Sequence, residues 1–90
     1  EIFIFSGRKD TNKEQTLQWL VSNDIHYHYL YMRRADDNRK DVVIKEEMYN
    51  EHIKDKYNVV MVVDDRLQTC RLWWKLGLPL FRVGDPDADF

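Results

Sequence analysis

The chain has 90 residues, of which 43% are hydrophobic and 13% aromatic, so it has material for one domain with a modest core. Its 14 basic and 16 acidic residues give a net charge of −2, which excludes a global positive field, so an anionic ligand must be held by a local cluster. The one cysteine, Cys70, excludes an intrachain disulfide and a thiolate zinc site, and no apolar run has the length of a membrane helix. We therefore expect a cytoplasmic location, no contact with a membrane and a core position for Cys70.

The chain opens on a pattern that is typical of a buried strand. Residues 2–5 are a continuous run of β-favouring apolar side chains, which predicts a strand covered on both faces, and Ser6-Gly7-Arg8 predicts the turn that ends it. Residues 11–14 match a capping box at the start of a helix over about residues 12–22, whose apolar face carries Leu17, Leu20 and Val21. Because the chain begins inside a strand and without a methionine, we expect it to be a piece of a longer polypeptide.

The next segment predicts a strand, a loop and a helix. Residues 26–32 are rich in aromatic side chains, which favour a strand, and the polar residues 33–40 predict a loop. Asp41 can cap a second helix that ends near residues 54–56. The apolar side of this helix carries Ile44, Met48, Tyr49 and Ile53.

The last segment begins with five consecutive apolar residues, 59–63, most of them β-branched. Such a run predicts a central strand that is covered on both faces. Asp64-Asp65 follow it, and then a helix over about residues 67–76, with Cys70, Trp73 and Trp74 on or near its buried side, and a last strand over residues 80–83. Strands and helices alternate throughout, which predicts an α/β fold with a parallel sheet and right-handed crossovers.

Polar clusters follow three of the predicted strands: Ser6-Gly7-Arg8, Arg33-Arg34 and Asp64-Asp65. In open α/β sheets, ligands bind outside the carboxyl ends of the strands. Hydroxyl, glycine and arginine groups bind phosphate, and paired carboxylates hold hard cations such as Mg²⁺. The three clusters together therefore predict one site for a metal and a phosphate.

Each cluster also has a purely structural interpretation. Ser6-Gly7-Arg8 could be an ordinary turn, and Arg33-Arg34 could lie in a solvated loop. One aspartate of the Asp64-Asp65 pair could cap the following helix, although capping needs only one of the two. Lys45 lies one turn into a helix, where the helix dipole disfavours a cation, so it either serves a bound phosphate or forms an i,i+4 pair with Asp41.

These clusters, in this order, resemble the phosphatase domain of phage-type polynucleotide kinase/3′-phosphatases over nearly the whole chain. The resemblance is carried by Ser6-Gly7-Arg8, by Met32-Arg33 through Asp37, Arg39 and Asp41 to Lys45-Glu46-Glu47, and by Val62-Val63-Asp64-Asp65-Arg66. It implies the three-layer, Rossmann-like fold of the haloacid-dehalogenase (HAD) phosphatases, with a parallel sheet. It also implies Mg²⁺-dependent phosphoryl transfer through an aspartyl-phosphate.

The resemblance assigns a role to each cluster. Binding of the substrate phosphate is implied for Ser6, Gly7, Arg8 and Arg33. Catalysis is implied for Lys45, which would neutralise the nucleophile and the transferred phosphoryl group, and catalysis and metal binding are implied for Asp64 and Asp65. The implied partners are nucleic-acid ends that carry a 3′-phosphate and an N-terminal kinase domain in the full-length chain.

One motif of the family has no counterpart in this chain. The Asp-x-Asp-x-Thr sequence that supplies the nucleophile is missing, and Asp85-Pro86-Asp87 and Asp87-Ala88-Asp89 lie in the acidic tail. We therefore expect residues 1–90 to be the C-terminal part of a single HAD phosphatase domain, inactive by themselves and without their first central strand. That strand would sit between residues 2–5 and 59–63, so the sheet would have a gap or a rearranged pairing.

The function implied by the resemblance is that of a polynucleotide 3′-phosphatase that heals nucleic-acid ends. Two alternatives remain at the level of the sequence. One is a HAD phosphatase for small phosphomonoesters, and the other is a non-catalytic phosphate-binding or regulatory module that lost its nucleophile naturally. If a phage encodes the protein, the cytoplasm in which it works is that of the host.

Overall fold

The computed structural model describes residues 1–84, in which strands and helices alternate along the chain. The elements are β1 (Phe3–Lys9), α1 (Lys13–Ser22), β2 (Tyr29–Arg33), α2 (Asp41–His52), β3 (Val62–Asp64), α3 (Leu67–Lys75) and β4 (Leu80–Arg82). The predicted α/β class and the predicted element order are confirmed. The Asp-x-Asp sequences of the tail lie outside the described residues.

The four described strands form two separate two-stranded sheets, and both are parallel, as predicted. One sheet contains β1 and β2, and the other contains β3 and β4. The chain divides into two compact units, one that ends at Lys40 and one that begins at Asp41, and each is described by itself. The single-domain assignment of residues 1–90 stays a prediction.

In the first unit, β1 extends further than the sequence predicts. Phe3 pairs with Tyr29 and the register holds until Ser6, but it shifts before Lys9 pairs with Arg33. The predicted turn at residues 6–8 is therefore wrong, because these residues form an irregular stretch of strand. A glycine inside a strand, here Gly7, often marks such an irregularity, and the register has no β2 partner for Gly7 or Arg8.

Aromatic rings line one face of the β1–β2 sheet. The rings of Phe3 and Tyr29 are stacked with their centroids 4.8 Å apart, and Tyr29 and Tyr31 lie 6.3 Å apart and almost parallel. The strands are only half-buried, so the prediction of a first strand covered on both faces is wrong for the described residues. β2 also starts later than predicted, at Tyr29. Just before it, the ring Nδ1 of His28 accepts a hydrogen bond from the Ile2 N–H at 2.8 Å.

The first helix forms without the capping box that the sequence predicts. Asn12 is the N-cap residue and makes no hydrogen bond through its side chain, while the Thr16 hydroxyl donates to the Asn12 carbonyl at 2.9 Å. Thr16 and Leu20 form the buried side of α1. Val21, predicted on the apolar face, is 79% exposed, because the buried stripe turns towards Thr16 instead.

The loop between β2 and α2, predicted over residues 33–40, is held by an arginine–carboxylate pair. The Arg39 guanidinium donates from Nε to Asp37 Oδ1 at 3.0 Å and from Nη2 to Asp37 Oδ2 at 2.7 Å. The Arg39 backbone N–H donates to the same carboxylate at 3.1 Å. These hydrogen bonds to its charged form lower the pKa of Asp37 from 3.8 to about 2.

The second unit has its core between α2 and α3. Its buried side chains are Ile44, Met48, Ile53, Thr69, Cys70, Leu72 and Trp73. The rings of Tyr49 and Trp73 meet edge to face with centroids 6.3 Å apart. The predicted apolar face of α2 and the predicted core position of Cys70 are confirmed, whereas Trp74 is 53% exposed and does not belong to the buried side of α3.

The prediction of a fully covered strand over residues 59–63 is wrong for the described part of the chain. Only residues from Val62 onwards are in β3, which pairs in parallel with β4. Val60 is 81% exposed, and the paired Val63 and Phe81 are both exposed. A continuous apolar run predicts two covered faces, but within residues 1–84 one face of this sheet is left open to solvent.

Among residues 1–84, none of the helices combines the length and the apolar composition that crossing a bilayer requires.

Replacing Ile44 by alanine should test the core of the second unit. Ile44 is buried and its truncation leaves a cavity, so the free energy of unfolding should fall by about 2–4 kcal/mol in a urea titration. The neighbouring Val43 is exposed, and Val43→Ala should cost less than about 1 kcal/mol. Equal losses for the two variants would show that α2 does not bury the side that carries Ile44.

Acid should weaken the loop through Asp37. A carboxyl whose pKa is lowered by folding stabilises the fold above its unfolded pKa, and this contribution is lost as the pH falls from 3.8 through about 2. In Arg39→Ala, the pKa of Asp37 should return towards 3.8, as followed by NMR titration of its carboxyl carbon. Lys40→Ala, one residue away, should leave that pKa unchanged, and an Asp37 that still titrates near 2 without Arg39 would contradict the assignment.

Candidate functional site

In the first unit, the structure brings the ends of β1 and β2 together around Arg33. This side chain, the last of β2, donates from Nε to the Gly7 carbonyl at 2.7 Å. Its Nη1 donates to the Asp37 carbonyl at 3.2 Å and to the Arg39 carbonyl. Arg33 therefore ties the irregular end of β1 to the loop that leads into α2.

The other phosphate-binding candidates of the first unit lie beside this junction. The Ser6 hydroxyl accepts a hydrogen bond from the Arg8 N–H at 3.1 Å, so its oxygen faces the irregular stretch. The Arg8 side chain is exposed, and among residues 1–84 no carboxylate forms a salt bridge with it. A guanidinium without a carboxylate partner can bind an anion, whereas Arg33 is already engaged by backbone carbonyls.

In the second unit, Lys45 lies between two carboxylates. Its Nζ is 3.3 Å from Asp41 Oδ2 and 3.9 Å from Asp64 Oδ2, and its side chain is 13% exposed. The guanidinium of Arg66 also reaches Asp41, with Nη1 3.5 Å from Oδ2. The i,i+4 pair with Asp41 is therefore confirmed, and the same ammonium faces the acidic end of β3. A role of Lys45 towards a bound phosphate stays a prediction.

Asp64 is the best-satisfied carboxylate of this cluster. Its Oδ1 accepts hydrogen bonds from the backbone N–H groups of Asp65 at 2.8 Å and Arg66 at 3.2 Å, and its Oδ2 accepts one from the Trp73 indole at 2.9 Å. Burial raises the pKa of Asp64, but the indole hydrogen bond, the charge of Lys45 and the Arg66 N–H outweigh it, so the pKa lies below its ordinary value. Asp64 is therefore ionised at neutral pH.

Asp65 differs from its neighbour. It is exposed, and among residues 1–84 its side-chain oxygens accept no hydrogen bond and form no salt bridge. Its backbone carbonyl accepts a hydrogen bond of 3.4 Å from Arg82. The N-cap residue of α3 is Arg66, with no side-chain cap, so the interpretation of an aspartate as the helix cap is wrong.

Two basic and two acidic side chains of this cluster pair with one another. Lys45 and Arg66 offset Asp41 and Asp64, and the charge of Asp65 remains uncompensated within the described residues. No group of three or more histidine, cysteine or acidic side chains in residues 1–84 could hold a metal alone. Mg²⁺, however, binds through one or two carboxylates and keeps several waters, so the free oxygens of Asp65 fit it as part of a ligand set.

The sequence did not predict two contacts of this arrangement. Asp41 was expected at the start of α2 and as a partner of Lys45, and it is both, but it also contacts the guanidinium of Arg66. Trp73 was assigned to the core, where it lies, but its indole N–H also donates to Asp64. A signal existed for Trp73, because a buried indole N–H requires an acceptor, although the sequence does not show which one.

Comparisons with known proteins agree with the resemblance found in the motifs. The family model for the phosphatase domain of the polynucleotide kinase PNKP matches residues 1–90. A viral relative, the "Putative bifunctional polynucleotide kinase/RNA ligase" of Autographa californica nuclear polyhedrosis virus, is 38% identical over 79 residues. The matched region is 87% of this chain and 11% of the relative.

Two solved structures share the fold of the described chain. A chain in the structure of the Pnkp1/Rnl/Hen1 RNA repair complex matches with a TM-score of 0.88 and 39% identity, over 96% of this chain and 28% of that one. A second structure of the Pnkp1/Rnl/Hen1 complex matches with a TM-score of 0.87 and 41% identity, over 92% of this chain and 30% of that one. The α/β fold with short parallel strands is thus shared with these structures, and this chain spans less than a third of each relative. The chain belongs to the family of HAD-type polynucleotide kinase PNKP phosphatase domains.

Proposed function

We propose that this chain is the phosphate-handling part of a Mg²⁺-dependent phosphatase that removes the 3′-phosphate from nucleic-acid ends. The observation that carries the proposal is the little-exposed Lys45, held between Asp41 and Asp64. The residue after Asp64 is the exposed Asp65, whose carboxylate has no partner among residues 1–84. A fixed cation and an exposed carboxylate in one cluster are suited to a phosphoryl group and the metal that accompanies it. Its relatives, a putative polynucleotide kinase/RNA ligase and a chain of an RNA repair complex, support nucleic-acid ends as the substrate class.

The proposed reaction needs a nucleophilic aspartate that this chain does not supply, so we place that residue on another segment of the full-length protein. Its carboxylate oxygen attacks phosphorus and forms an O–P bond, while the bond between phosphorus and the 3′ oxygen breaks and the alcohol leaves with a proton. Water then hydrolyses the acyl phosphate, which releases inorganic phosphate and regenerates the carboxylate.

In this scheme, the residues of the second unit offset the negative charges of the reacting groups. Lys45 attracts the oxygens of the transferred phosphoryl group and the attacking carboxylate, which lowers the repulsion between two anions. Asp65 would supply oxygens to Mg²⁺, which when bound would offset the negative charge of the phosphate. Asp64 is occupied by its own hydrogen bonds, so we assign it to orienting Lys45 and the backbone of Asp65 rather than to direct coordination.

The residues of the first unit keep the roles that the resemblance gives them. Binding of the substrate phosphate by Ser6, Gly7 and Arg8 is part of the proposal, and the exposed Arg8 side chain supports it. Arg33 is assigned first to holding the loop, because its guanidinium donates to three backbone carbonyls. A kinase domain elsewhere in the full-length protein and a cytoplasmic location, that of the host for a viral protein, complete the proposal.

Lys45→Ala in the chain joined to its native upstream sequence should abolish most activity. Loss of the ammonium removes a charge from the developing transition state, so kcat for phosphate release from a 3′-phosphorylated oligonucleotide should fall by about 100-fold or more. Lys54→Ala, an exposed lysine just beyond the end of α2, should have wild-type activity.

Three results would decide against this proposal. Full activity in Lys45→Ala would remove its central residue. A wild-type protein that prefers small phosphomonoesters over the oligonucleotide in direct competition would indicate the small-molecule phosphatase. Phosphate binding without any phosphate release would indicate the non-catalytic module.

Asp65→Asn should act through the metal. The substitution keeps the size of the side chain but removes the charge that attracts Mg²⁺, so the Mg²⁺ concentration for half-maximal activity should rise by about tenfold or more, and Mn²⁺ binding measured by electron paramagnetic resonance should weaken in parallel. Asp55→Asn, an exposed aspartate in a turn, is the matched control. An unchanged metal requirement in Asp65→Asn would show that Asp65 is not a ligand.

A further inference from the structure

Buried side chains on one face of α3 contact Asp64. Thr69 and Cys70 are fully buried, and Trp73, one turn later, is 4% exposed. The Cys70 thiol points at the Asp64 backbone carbonyl, with 3.8 Å between sulfur and oxygen, and the Trp73 indole N–H donates to Asp64 Oδ2. The helix that follows β3 thus contacts both the backbone and the side chain of the residue that ends this strand.

We propose that Trp73 is a positioning residue, whose indole N–H fixes the rotamer of Asp64 so that Oδ2 faces the ammonium of Lys45. This inference rests on the proposed function, because it assigns Trp73 to the same phosphoryl-transfer site. Trp73 touches neither substrate nor metal in this scheme and acts through Asp64 alone.

The geometry around Oδ2 supports this role. Oδ1 is held by two backbone N–H groups, so the orientation of the carboxylate about them depends on what Oδ2 binds. The indole at 2.9 Å is its nearest donor, and the Lys45 ammonium is further away, at 3.9 Å. Without the indole, Oδ2 would lose the shorter of these two contacts and keep the longer one with Lys45, so the position of the Lys45 ammonium would be less well defined.

A rigid donor is well suited to this task. The indole is clamped by its burial and by the edge-to-face contact with Tyr49, so its N–H direction is set by the core and not by the ligand. A hydrogen bond to an ionised carboxylate is stronger than one between neutral groups. Removing a residue that orients a catalytic or metal-binding group typically lowers activity by about 10- to 100-fold.

The adjacent tryptophan provides a matched control. Trp74 is 53% exposed, lies next in the same helix and forms no hydrogen bond with Asp64. Trp73→Phe removes the indole N–H but keeps an aromatic ring in the core, and Trp74→Phe makes the same chemical change outside it. A difference between the two variants therefore reports the position of the N–H group.

The activity test uses the full-length chain and a single-turnover assay on a 3′-phosphorylated oligonucleotide. Trp73→Phe should lower kcat by about tenfold with little change in KM and in the Mg²⁺ requirement, and Trp74→Phe should have no effect. In an Asp64→Ala background, Trp73→Phe should cause no further loss, because its effect passes through the missing carboxylate. A kcat within twofold of wild type in Trp73→Phe, or an equal loss with and without Asp64, would overturn the proposal.

A second measurement does not depend on activity. In the full-length protein, the indole N–H signal of Trp73 is identified as the one that Trp73→Phe removes. That signal should exchange slowly with solvent and should shift in Asp64→Ala but not in Asp65→Ala. A Trp73 signal that does not respond to Asp64→Ala would overturn the proposal even if the phosphatase function holds. Wild-type protein without phosphatase activity would instead reject the function while the spectral result stands.

Discussion

The second unit depends on how the carboxylate of Asp64 is satisfied. A charged group that is largely removed from water destabilises a fold unless hydrogen bonds and opposite charge compensate it. Two backbone N–H groups between β3 and α3, an indole from α3 and an ammonium from α2 provide that compensation for the last residue of β3. The same contacts that make this charge tolerable therefore bring three elements of secondary structure to one point.

This arrangement gives neighbouring aspartates different tasks. The carboxylate of Asp64 accepts hydrogen bonds from the protein, while the exposed carboxylate of Asp65 is accessible to solvent or a ligand. Asp64 is the last residue of β3, whereas Asp65 lies just beyond the strand and is exposed. Of two identical neighbouring residues, one thus has a carboxylate that stabilises the fold and the other a carboxylate that is available for binding.

The sequence predicted those features that depend on local pattern. The apolar spacing of Ile44, Met48 and Ile53 identified the buried face of α2, and the alternation of strands and helices predicted the parallel pairing. The motif residues Lys45 and Asp64 were found because their charges are unusual at these positions, and the structure places them 3.9 Å apart. Features that depend on distant residues were out of reach: the irregular stretch at Gly7 is set by pairing with β2, and the indole of Trp73 finds its acceptor only in three dimensions.

The open face of the β3–β4 sheet has a consequence for how this chain behaves in solution. Val63 and Phe81 lie side by side on it, and the preceding Val60 and Met61 are also exposed. A short, uncharged, β-prone run with exposed backbone edges is the composition that promotes edge-to-edge aggregation of identical chains. Residues 1–90 produced in isolation are therefore expected to self-associate through β3, and their solubility will depend on covering this strand.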